Sequence, residues 1–413
     1  MDFDAGRLLQ HYRALLSEGI IPFWLRHGID EEYGGILSCM TEEGDPISTD
    51  KYSWSQARFV WTMAALFNRW EPRPEFLEAA RRTIEFLLIH ATDKTGWLAY
   101  RTTREGVHVE GATSIYSDCF FVYGLSEYCR AVPDDGLTDV AVKLFWKIAK
   151  RVADPEFRET APYTLLPGRR IHGVPMTLTE VANELAKTTG DHAIAEAADR
   201  YARCVMTNFV RPERRLLLEY LNKDYSELPG NEGSYVMPGH AIESMWFNIH
   251  CARRRNDAEA IARAVKVIRW HVEAGWDPAH GGLFLGIDAN GGCPFLANSD
   301  KKIWWPHTEA LYALLLAYRL TGEPWCIEWY ERVHRWSFEH FSMTPNGEWF
   351  QRLDRYGNPT RELIALPVKD PFHLPRAVIL TVDLLKSWPS GFPDSIGEAA
   401  GVRQSVTPGS DCE

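Results

Sequence analysis

Apolar residues recur along most of this chain at three- and four-residue intervals, the period of an amphipathic helix. Phe59, Met63 and Phe67 form one such stripe, and Leu311 and Leu315 belong to another. Counting the stripes predicts about twelve helices, over residues 5–27, 54–70, 74–90, 114–131, 136–152, 175–188, 192–208, 239–254, 258–274, 306–321, 324–340 and 374–387. They come in pairs, so the pattern predicts a series of helical hairpins.

Short apolar segments with glycine or Asp/Asn turns separate the helical pairs. In one copy Gly96-Trp97-Leu98 runs into Arg104-Glu105-Gly106, which predicts a strand, a turn and a second strand. Copies begin at Tyr33, Thr95, Arg214, Gly281 and Gly347, about 60 to 65 residues apart, with one slot skipped near residues 162–168. A repeat of this length indicates an array of supersecondary units.

Six helical hairpins joined in order can close into a ring, which predicts an all-α fold, an (α/α)6 barrel with short β-hairpins at one end. An open solenoid would give the same count. We expect one catalytic domain over residues 1–388 and an extended or disordered tail over 389–413, which is rich in Pro, Ser and Gly. The hairpins and the N-termini of the inner helices would line the mouth of the barrel, where a binding site is expected.

The charge pattern narrows the range of partners. The net charge is -11 and no Lys/Arg block stands out, which argues against nucleic acid and against a polyanionic substrate. No apolar run is long enough for a bilayer, so no membrane partner is expected. Eight scattered cysteines without a C-x-x-C pair, together with an acidic N-terminus unlike a signal peptide, predict a cytoplasmic protein with reduced thiols.

Tryptophan is abundant, with sixteen in the chain, and several copies lie among polar residues. Core packing accounts for many of them, but flat rings also stack on the C–H faces of sugars. At helical spacing Trp54, Arg58 and Trp61 share one face. An arginine that points inward between two tryptophans needs an anion or a developing oxyanion. The alternative is an arginine that extends from a surface helix.

Three histidines share one context. His240, His307 and His373 each follow a proline within two residues and lie at or near the start of a predicted helix. Helix N-termini disfavour an imidazolium, so we expect neutral bases gathered at one end of the barrel. A capping role is the alternative. The chain has no H-E-x-x-H motif, no G-x-S-x-G elbow and no Walker A sequence, so no metal, no nucleophilic triad and no P-loop is predicted.

Several of these stretches together resemble the N-acylglucosamine 2-epimerase family, in the expected order and over most of the chain. The matching segments are Tyr33-Gly34-Gly35, Lys51 to Trp61, Tyr116-Ser117-Asp118, Pro238 to Glu243, Trp304 to Glu309, and Phe372 to Arg376. The resemblance implies an (α/α)6 barrel and a sugar 2-epimerase or a related aldose–ketose isomerase.

The resemblance also implies residue roles. His240 and His373 would be the two acid/base residues, Arg58 would stabilise an enolate, and Glu309 would assist. Further substrate contacts are expected from Trp54, Trp61, Tyr116, Asp118, Glu243, Trp304, His307 and Arg376. No cofactor is required for this chemistry. Some members of the family respond to ATP without consuming it, so the resemblance also implies ATP as an allosteric activator. It further implies a homodimer that forms through outer helices.

The substrate implied is an N-acyl-D-glucosamine in exchange with N-acyl-D-mannosamine. Relatives acting on cellobiose or free mannose tend to carry a histidine in a Met-His-x-x-Glu segment, where this chain reads Met176-Thr177-Leu178-Thr179-Glu180, although His172 lies close by. The alternatives are a mannose/fructose-type isomerase, a cellobiose or glucose–mannose 2-epimerase, a glycoside hydrolase using pairs such as Asp118 with Glu127 or Glu243 with Glu309, and a sugar-binding protein without activity.

Overall fold

Twelve long helices dominate the computed structural model, which describes residues 3–158, 167–342, 347–362 and 366–388. They are α1 (Ala5–Ala14, continued by the π-helical Leu15–Ile20 and by Ile21–His27), α2 (Ser53–Ala65 and the π-helical Leu66–Trp70), α3 (Pro74–Phe86 and the π-helical Leu87–Ala91), α4 (Ile115–Ala131), α5 (Asp135–Ala153), α6 (Gly173–Thr189), α7 (His192–Cys204 and the π-helical Val205–Phe209), α8 (Pro238–Arg254), α9 (Ala258–Gly275), α10 (Trp304–Thr321), α11 (Pro324–His340) and α12 (His373–Lys386). All twelve predicted helices are confirmed; one further helical turn spans Gly230–Gly233.

Even-numbered helices form an inner ring, and odd-numbered helices surround it. In α10 every residue from Pro306 to Tyr318 is buried, whereas in α9 buried positions recur mainly at helical spacing along one face. Each inner helix packs on the next around the ring, and α12 returns to α2. The Thr62 hydroxyl donates to the Pro371 carbonyl at 2.8 Å across this last junction. The ring therefore closes, which confirms the predicted (α/α)6 barrel and excludes an open solenoid.

Short antiparallel strands gather at the N-terminal ends of the inner helices. The pairs are Lys51–Tyr52 with Arg101–Thr102, Arg101–Thr102 with His108–Glu110, Arg169–Ile171 with Tyr220–Asn222, Val210–Arg211 with Leu216–Leu217, Tyr235–Val236 with Ile287–Asp288, and Lys302–Ile303 with Arg352–Leu353. The predicted turns are present, for example between the bridged residues Met40 and Pro46. What the pattern did not predict is pairing between repeats: four of these ladders join the strand before an inner helix to a strand of the next repeat.

Two predicted features fall at least partly outside the described residues. They are the tail over 389–413 and most of the skipped repeat slot, over 162–166. Within the described part of the chain, no helix has both the length and the hydropathy that crossing a bilayer requires.

In two of the repeats a buried lysine links the loop after the outer helix to the strand that leads into the inner helix. Lys302 Nζ lies 3.2 Å from both Asp277 Oδ2 and the Gly282 carbonyl, and Lys51 Nζ lies 2.8 Å from Asp30 Oδ2. Both lysines and both aspartates are inaccessible to solvent. Burial lowers the pKa of Lys302 to about 8, and Asp277 opposes that shift. A charge held so deeply needs its partner, so these pairs fix the loop geometry at the mouth.

We predict that Lys302→Met lowers the free energy of unfolding by about 3 kcal/mol, because it removes one partner of a buried pair. The matched control is Lys301→Met, since Lys301 forms a more exposed pair with Glu362 at 3.1 Å and its loss should cost less than about 1 kcal/mol. Urea unfolding followed by tryptophan fluorescence measures both. Equal losses for the two variants would contradict a structural role for the buried lysine.

Candidate active site

A cavity of about 300 Å³ lies at the N-terminal ends of the inner helices, where the short strands meet. Its wall is largely aromatic and apolar, with a few charged groups among the rings. Eight of the twelve predicted site residues line it: Trp54, Arg58, Tyr116, His240, Glu243, Trp304, His373 and Arg376. The predicted site is thus largely assembled in one place, at the predicted end of the barrel.

His240, the third residue of α8, faces a buried carboxylate. Its Nδ1 lies 3.1 Å and 3.2 Å from the two carboxylate oxygens of Glu219, which ends the run of leucines before the strand Tyr220–Asn222. Burial by itself disfavours the imidazolium, but Glu219 outweighs it and raises the pKa of His240. Burial also disfavours the charged form of Glu219 and by itself would raise its pKa, yet His240 and His172 hold that pKa at about 2. At His240 this carboxylate therefore acts against the lowering of the pKa that the helix start and burial would cause.

His373, the first residue of α12, has a second buried carboxylate behind it. Its Nδ1 lies 2.7 Å from Glu309 Oε1, which also accepts from Arg376 Nη2 at 2.8 Å. The other oxygen, Oε2, accepts from Trp246 Nε1 at 2.8 Å. Although burial raises the pKa of Glu309, the Arg376 and His373 side chains hold it at about 2. Glu309 does not line the cavity; it fixes the orientation of His373.

Both imidazoles lie close to one indole. The ring centroids of His240 and His373 are 5.2 Å and 5.7 Å from that of Trp305, which sits on α10 between their helices. In both rings Nδ1 is engaged by a carboxylate, and Nε2 makes no hydrogen bond to the described residues. Both side chains line the cavity, so each offers its Nε2 to a ligand there.

An ion cluster joins the helices that carry the two histidines. Arg376 Nη2 contacts Glu243 as well as Glu309, so the cluster spans α8, α10 and α12. The guanidinium also lies over the rings of Phe372 and Trp246, at 4.4 Å and 4.9 Å. Only 2% of Arg376 is exposed, and a cation so deeply buried is stable only with such partners.

Arg58 points into the barrel, as one of the two sequence interpretations expects. Its Nη1 donates to Asp370 Oδ1 at 2.9 Å, and its guanidinium lies 4.0 Å from the Phe120 ring and 4.9 Å from the Trp54 ring. Burial lowers the pKa of Arg58, and Asp370 is the main group that opposes this shift. The alternative of an arginine on a surface helix is wrong.

Three residues predicted to contact substrate do not line the cavity. His307 and Asp118 are each the fourth residue of an inner helix, and both accept a loop N–H: His307 from Leu283 at 2.8 Å and Asp118 from Leu98 at 3.0 Å. Burial lowers the pKa of His307 to about 3 and raises that of Asp118 to about 7. Trp61 is 1% exposed and stacks within the core. All three support the loops or the core.

His307 does not join His240 and His373 in the cavity, and the reason is geometric. Shared proline context places all three near a helix start, but one residue along a helix turns the side chain by about 100°. In α4 and α10 the fourth position, held by Asp118 and His307, faces the outer loops. The sixth position of α2, α8 and α10 faces the axis, and it is occupied by Arg58, Glu243 and Glu309.

Sequence reasoning missed Glu219, Asp370 and Trp305. Glu219 interrupts a run of apolar residues, which can signal a buried charge. Asp370 directly precedes Pro371 just before α12, and an aspartate followed by a proline is a helix-start signal. Trp305 directly follows Trp304, and nothing in the local sequence distinguishes the two. None of these local signals predicts which residue is contacted, because the contacting residues are distant along the chain.

Three groups of His and Glu side chains have ligand atoms within 4.8 Å of one another. They are His172, Glu219 and His240; Glu180, Glu184 and His250; and Glu243, Glu309 and His373. In each group a histidine Nδ1 already engages a carboxylate, and arginine or lysine partners neutralise several of the glutamates. That the protein needs no metal stays a prediction.

The chain is also similar in sequence to known proteins. Residues 34–374 match the sequence model of a family described as N-acylglucosamine 2-epimerase (GlcNAc 2-epimerase). The chain is 33% identical over 376 residues to N-acylglucosamine 2-epimerase of Bos taurus, covering 89% of each protein. It is 31% identical over 374 residues to the Homo sapiens protein of that name, covering 89% of this chain and 87% of that one.

The fold is also that of a solved structure. The structure of cellobiose 2-epimerase from Bacillus thermoamylovorans B4167 superposes with a TM-score of 0.80 at 19% identity, over 91% of this chain and 99% of that chain. The resemblance seen in the sequence stretches is confirmed, and the chain belongs to the N-acylglucosamine 2-epimerase family.

Proposed function

We propose that this protein is a sugar 2-epimerase that interconverts N-acyl-D-glucosamine and N-acyl-D-mannosamine. One observation carries the proposal: two histidines, each backed by a buried glutamate on Nδ1, line the same cavity. Epimerisation at C2 removes a proton from one face of the carbon and returns one to the other. Two bases on one cavity are the simplest machinery for that task.

The carboxylates set the tautomer of each histidine. An Nδ1–H that donates to Glu219 or to Glu309 leaves the lone pair, or the transferable proton, on Nε2. Among the described residues, the ion-pair partners of Glu219 are His172 and His240, whereas Glu309 pairs with Arg376 as well as with His373. Glu219 favours the protonated form of His240. We therefore assign His240 as the acid in the direction that starts from this state, and the other cavity histidine, His373, takes the role of base. The roles exchange in the reverse direction.

Arg58 is assigned to the charge that develops on the sugar. Loss of the C2 proton moves negative charge to the C1 oxygen as an enolate, and a fixed guanidinium can stabilise it. Removing one such donor typically costs about 100- to 1000-fold in rate. Arg376 also lines the cavity, but two glutamates already engage its guanidinium, so Arg58 fits the role better.

The charges around the cavity favour a neutral sugar. Arg58, Arg352 and Arg376 line it together with Glu180, Glu243 and Asp370, and Glu219 and Glu309 stand directly behind the histidines. Carboxylates thus outnumber guanidiniums, which disfavours a phosphorylated substrate. The aromatic wall suits the apolar faces of a sugar ring.

The N-acyl assignment has support from the relatives' names and from one position of the chain. Thr177 lines the cavity at the position where cellobiose- and mannose-type relatives tend to have histidine. His172 does not replace it, because it is buried next to Glu219 and does not line the cavity. The site therefore has two cavity histidines rather than three.

The alternatives fit less well. An aldose–ketose isomerase needs one base, which would leave the second His–Glu pair without a use. Hydrolysis needs a free acid pair, but Glu243 and Glu309 share Arg376, Asp118 binds a loop N–H, and Glu127 pairs with Arg69.

The proposed cellular location rests on the state of the cysteines. Seven cysteines of the described chain are free, which supports the proposed cytoplasmic location. Activation by ATP and dimerisation through outer helices stay predictions.

The proposed reaction predicts deuterium incorporation at C2. Incubating the protein in deuterium oxide with N-acetylglucosamine, N-acetylmannosamine, mannose, glucose and cellobiose, and following proton NMR, should show exchange and C2 inversion for the N-acetylated pair. Transfer of label to C1 with ketose formation would indicate the isomerase instead, and no exchange with any sugar would contradict both.

We predict that His240→Asn and His373→Asn each reduce turnover by at least about 1000-fold with an unchanged melting temperature, because neither base can replace the other on the opposite face. The control is His192→Asn, since His192 also begins a helix but lies on the surface, with 88% of its side chain exposed. Near-normal turnover in either cavity variant would refute the two-base assignment.

Glu219→Gln should move one limb of the pH–rate profile. Glu219 raises the pKa of His240 against the effect of burial, so its loss lets burial lower that pKa. When His240 is the base, activity falls as pH drops through its pKa, so the acidic limb moves to lower pH. When His240 is the acid, activity falls as pH rises through its pKa, so the alkaline limb moves to lower pH. Profiles of kcat/KM in both directions test this; unmoved limbs would contradict it.

A further inference from the structure

Asp370 connects two parts of the proposed machinery through one carboxylate. Its Oδ1 accepts from Arg58 Nη1 at 2.9 Å, and its Oδ2 accepts from the backbone N–H of His373 at 2.7 Å and of Phe372 at 3.2 Å. The residue lines the cavity while only 2% of it is exposed. One side chain thus holds both the arginine of α2 and the first residue of α12.

The backbone of Asp370 is itself fixed. Its N–H donates to Gln351 Oε1 at 2.9 Å, and its carbonyl accepts from Gln351 Nε2 at 3.2 Å, so one buried amide clamps it on both sides. The preceding residue, Lys369, is held between the carboxylates of Glu42 and Glu348. The Asp370 carboxylate is therefore an anchored point rather than a mobile one.

Arg58 depends on that point for its direction. Among the described residues, Asp370 is the one hydrogen-bond partner of the guanidinium, and the buried Nε has none. The remaining contacts are the ring faces of Trp54, Phe120 and Phe372, at 4.0 to 5.0 Å. Ring faces attract a cation but do not fix its orientation as a carboxylate does.

We propose that Asp370 is a positioning residue, which sets the direction of the Arg58 guanidinium relative to the His373 imidazole. The inference rests on the proposed function, since it assigns Arg58 and His373 to the reaction. A carboxylate beside Arg58 weakens its positive potential, so the benefit of Asp370 lies in geometry and not in charge. An error of about 1 Å in such a group can cost about 100-fold in rate.

The test is Asp370→Asn, which keeps the size of the side chain and one oxygen for the helix start. A single amide oxygen cannot serve both Arg58 and the backbone of α12. The expected result is a kcat about 10- to 100-fold lower, with KM within about twofold of the wild type. The matched control is Asp383→Asn near the C-terminal end of α12, where Asp383 pairs with Arg69 at 3.3 Å. The kcat of this control should not change.

A second variant separates positioning from a general structural effect. In an Arg58→Ala background, Asp370→Asn should cause no further loss, because the group that it positions is absent. Full additivity, or a loss confined to KM or to the melting temperature, would overturn the proposal.

Failure of this inference and failure of the proposed function give different results. Wild-type protein that exchanges no sugar at C2 would contradict the function. An active enzyme whose Asp370→Asn variant turns over normally would contradict only the role of Asp370. A crystal structure of that variant decides the point even without turnover: a displaced Arg58 guanidinium is expected, and an unmoved one would overturn the proposal.

Discussion

The buried ion cluster of Arg376 with Glu243 and Glu309 is the interaction on which the site depends. It joins three neighbouring inner helices at the centre of the barrel, where all three side chains are almost fully buried. Buried charges are tolerated only where each has its partner, so the relative placement of α8, α10 and α12 is tightly constrained. His240 precedes Glu243 by three residues, and His373 precedes Arg376 by three. The constraint on the cluster is therefore also a constraint on the distance between the two imidazoles.

Buried ion pairs also constrain the structure at the mouth of the barrel. Buried lysines tie the loops of a repeat to the strand before an inner helix, and the short ladders join one repeat to the next. The inner-helix N-termini therefore start from fixed points, and the residues in their first two turns face the axis or the loops according to their position. Closing the ring gives the cavity a rigid wall.

Most of the fold could be predicted from the sequence. Apolar periodicity reports directly which helix faces are buried, so the twelve helices and their pairing were predicted, and the turn residues were found by their glycines. The cross-repeat ladders could not be predicted in the same way. A two-residue strand such as Lys302–Ile303 carries too little pattern, and its partner, Arg352–Leu353, lies far along the chain.

The site was predictable in part. His240, His373 and Arg58 could be singled out by local context, and all three line the cavity. His307 shares that context but lies at a helix position that faces the loops, a difference that depends on where each helix begins. Glu219 was missed because its importance comes from a contact to a histidine in another element, which no local pattern describes.

The most direct measurement is a crystal structure with an open-chain N-acylmannosamine analogue that resists proton abstraction. We predict that the Nε2 atoms of the two cavity histidines lie on opposite faces of C2, each about 3 to 3.5 Å from it. Both nitrogens on one face, or one of them out of reach of that carbon, would contradict it.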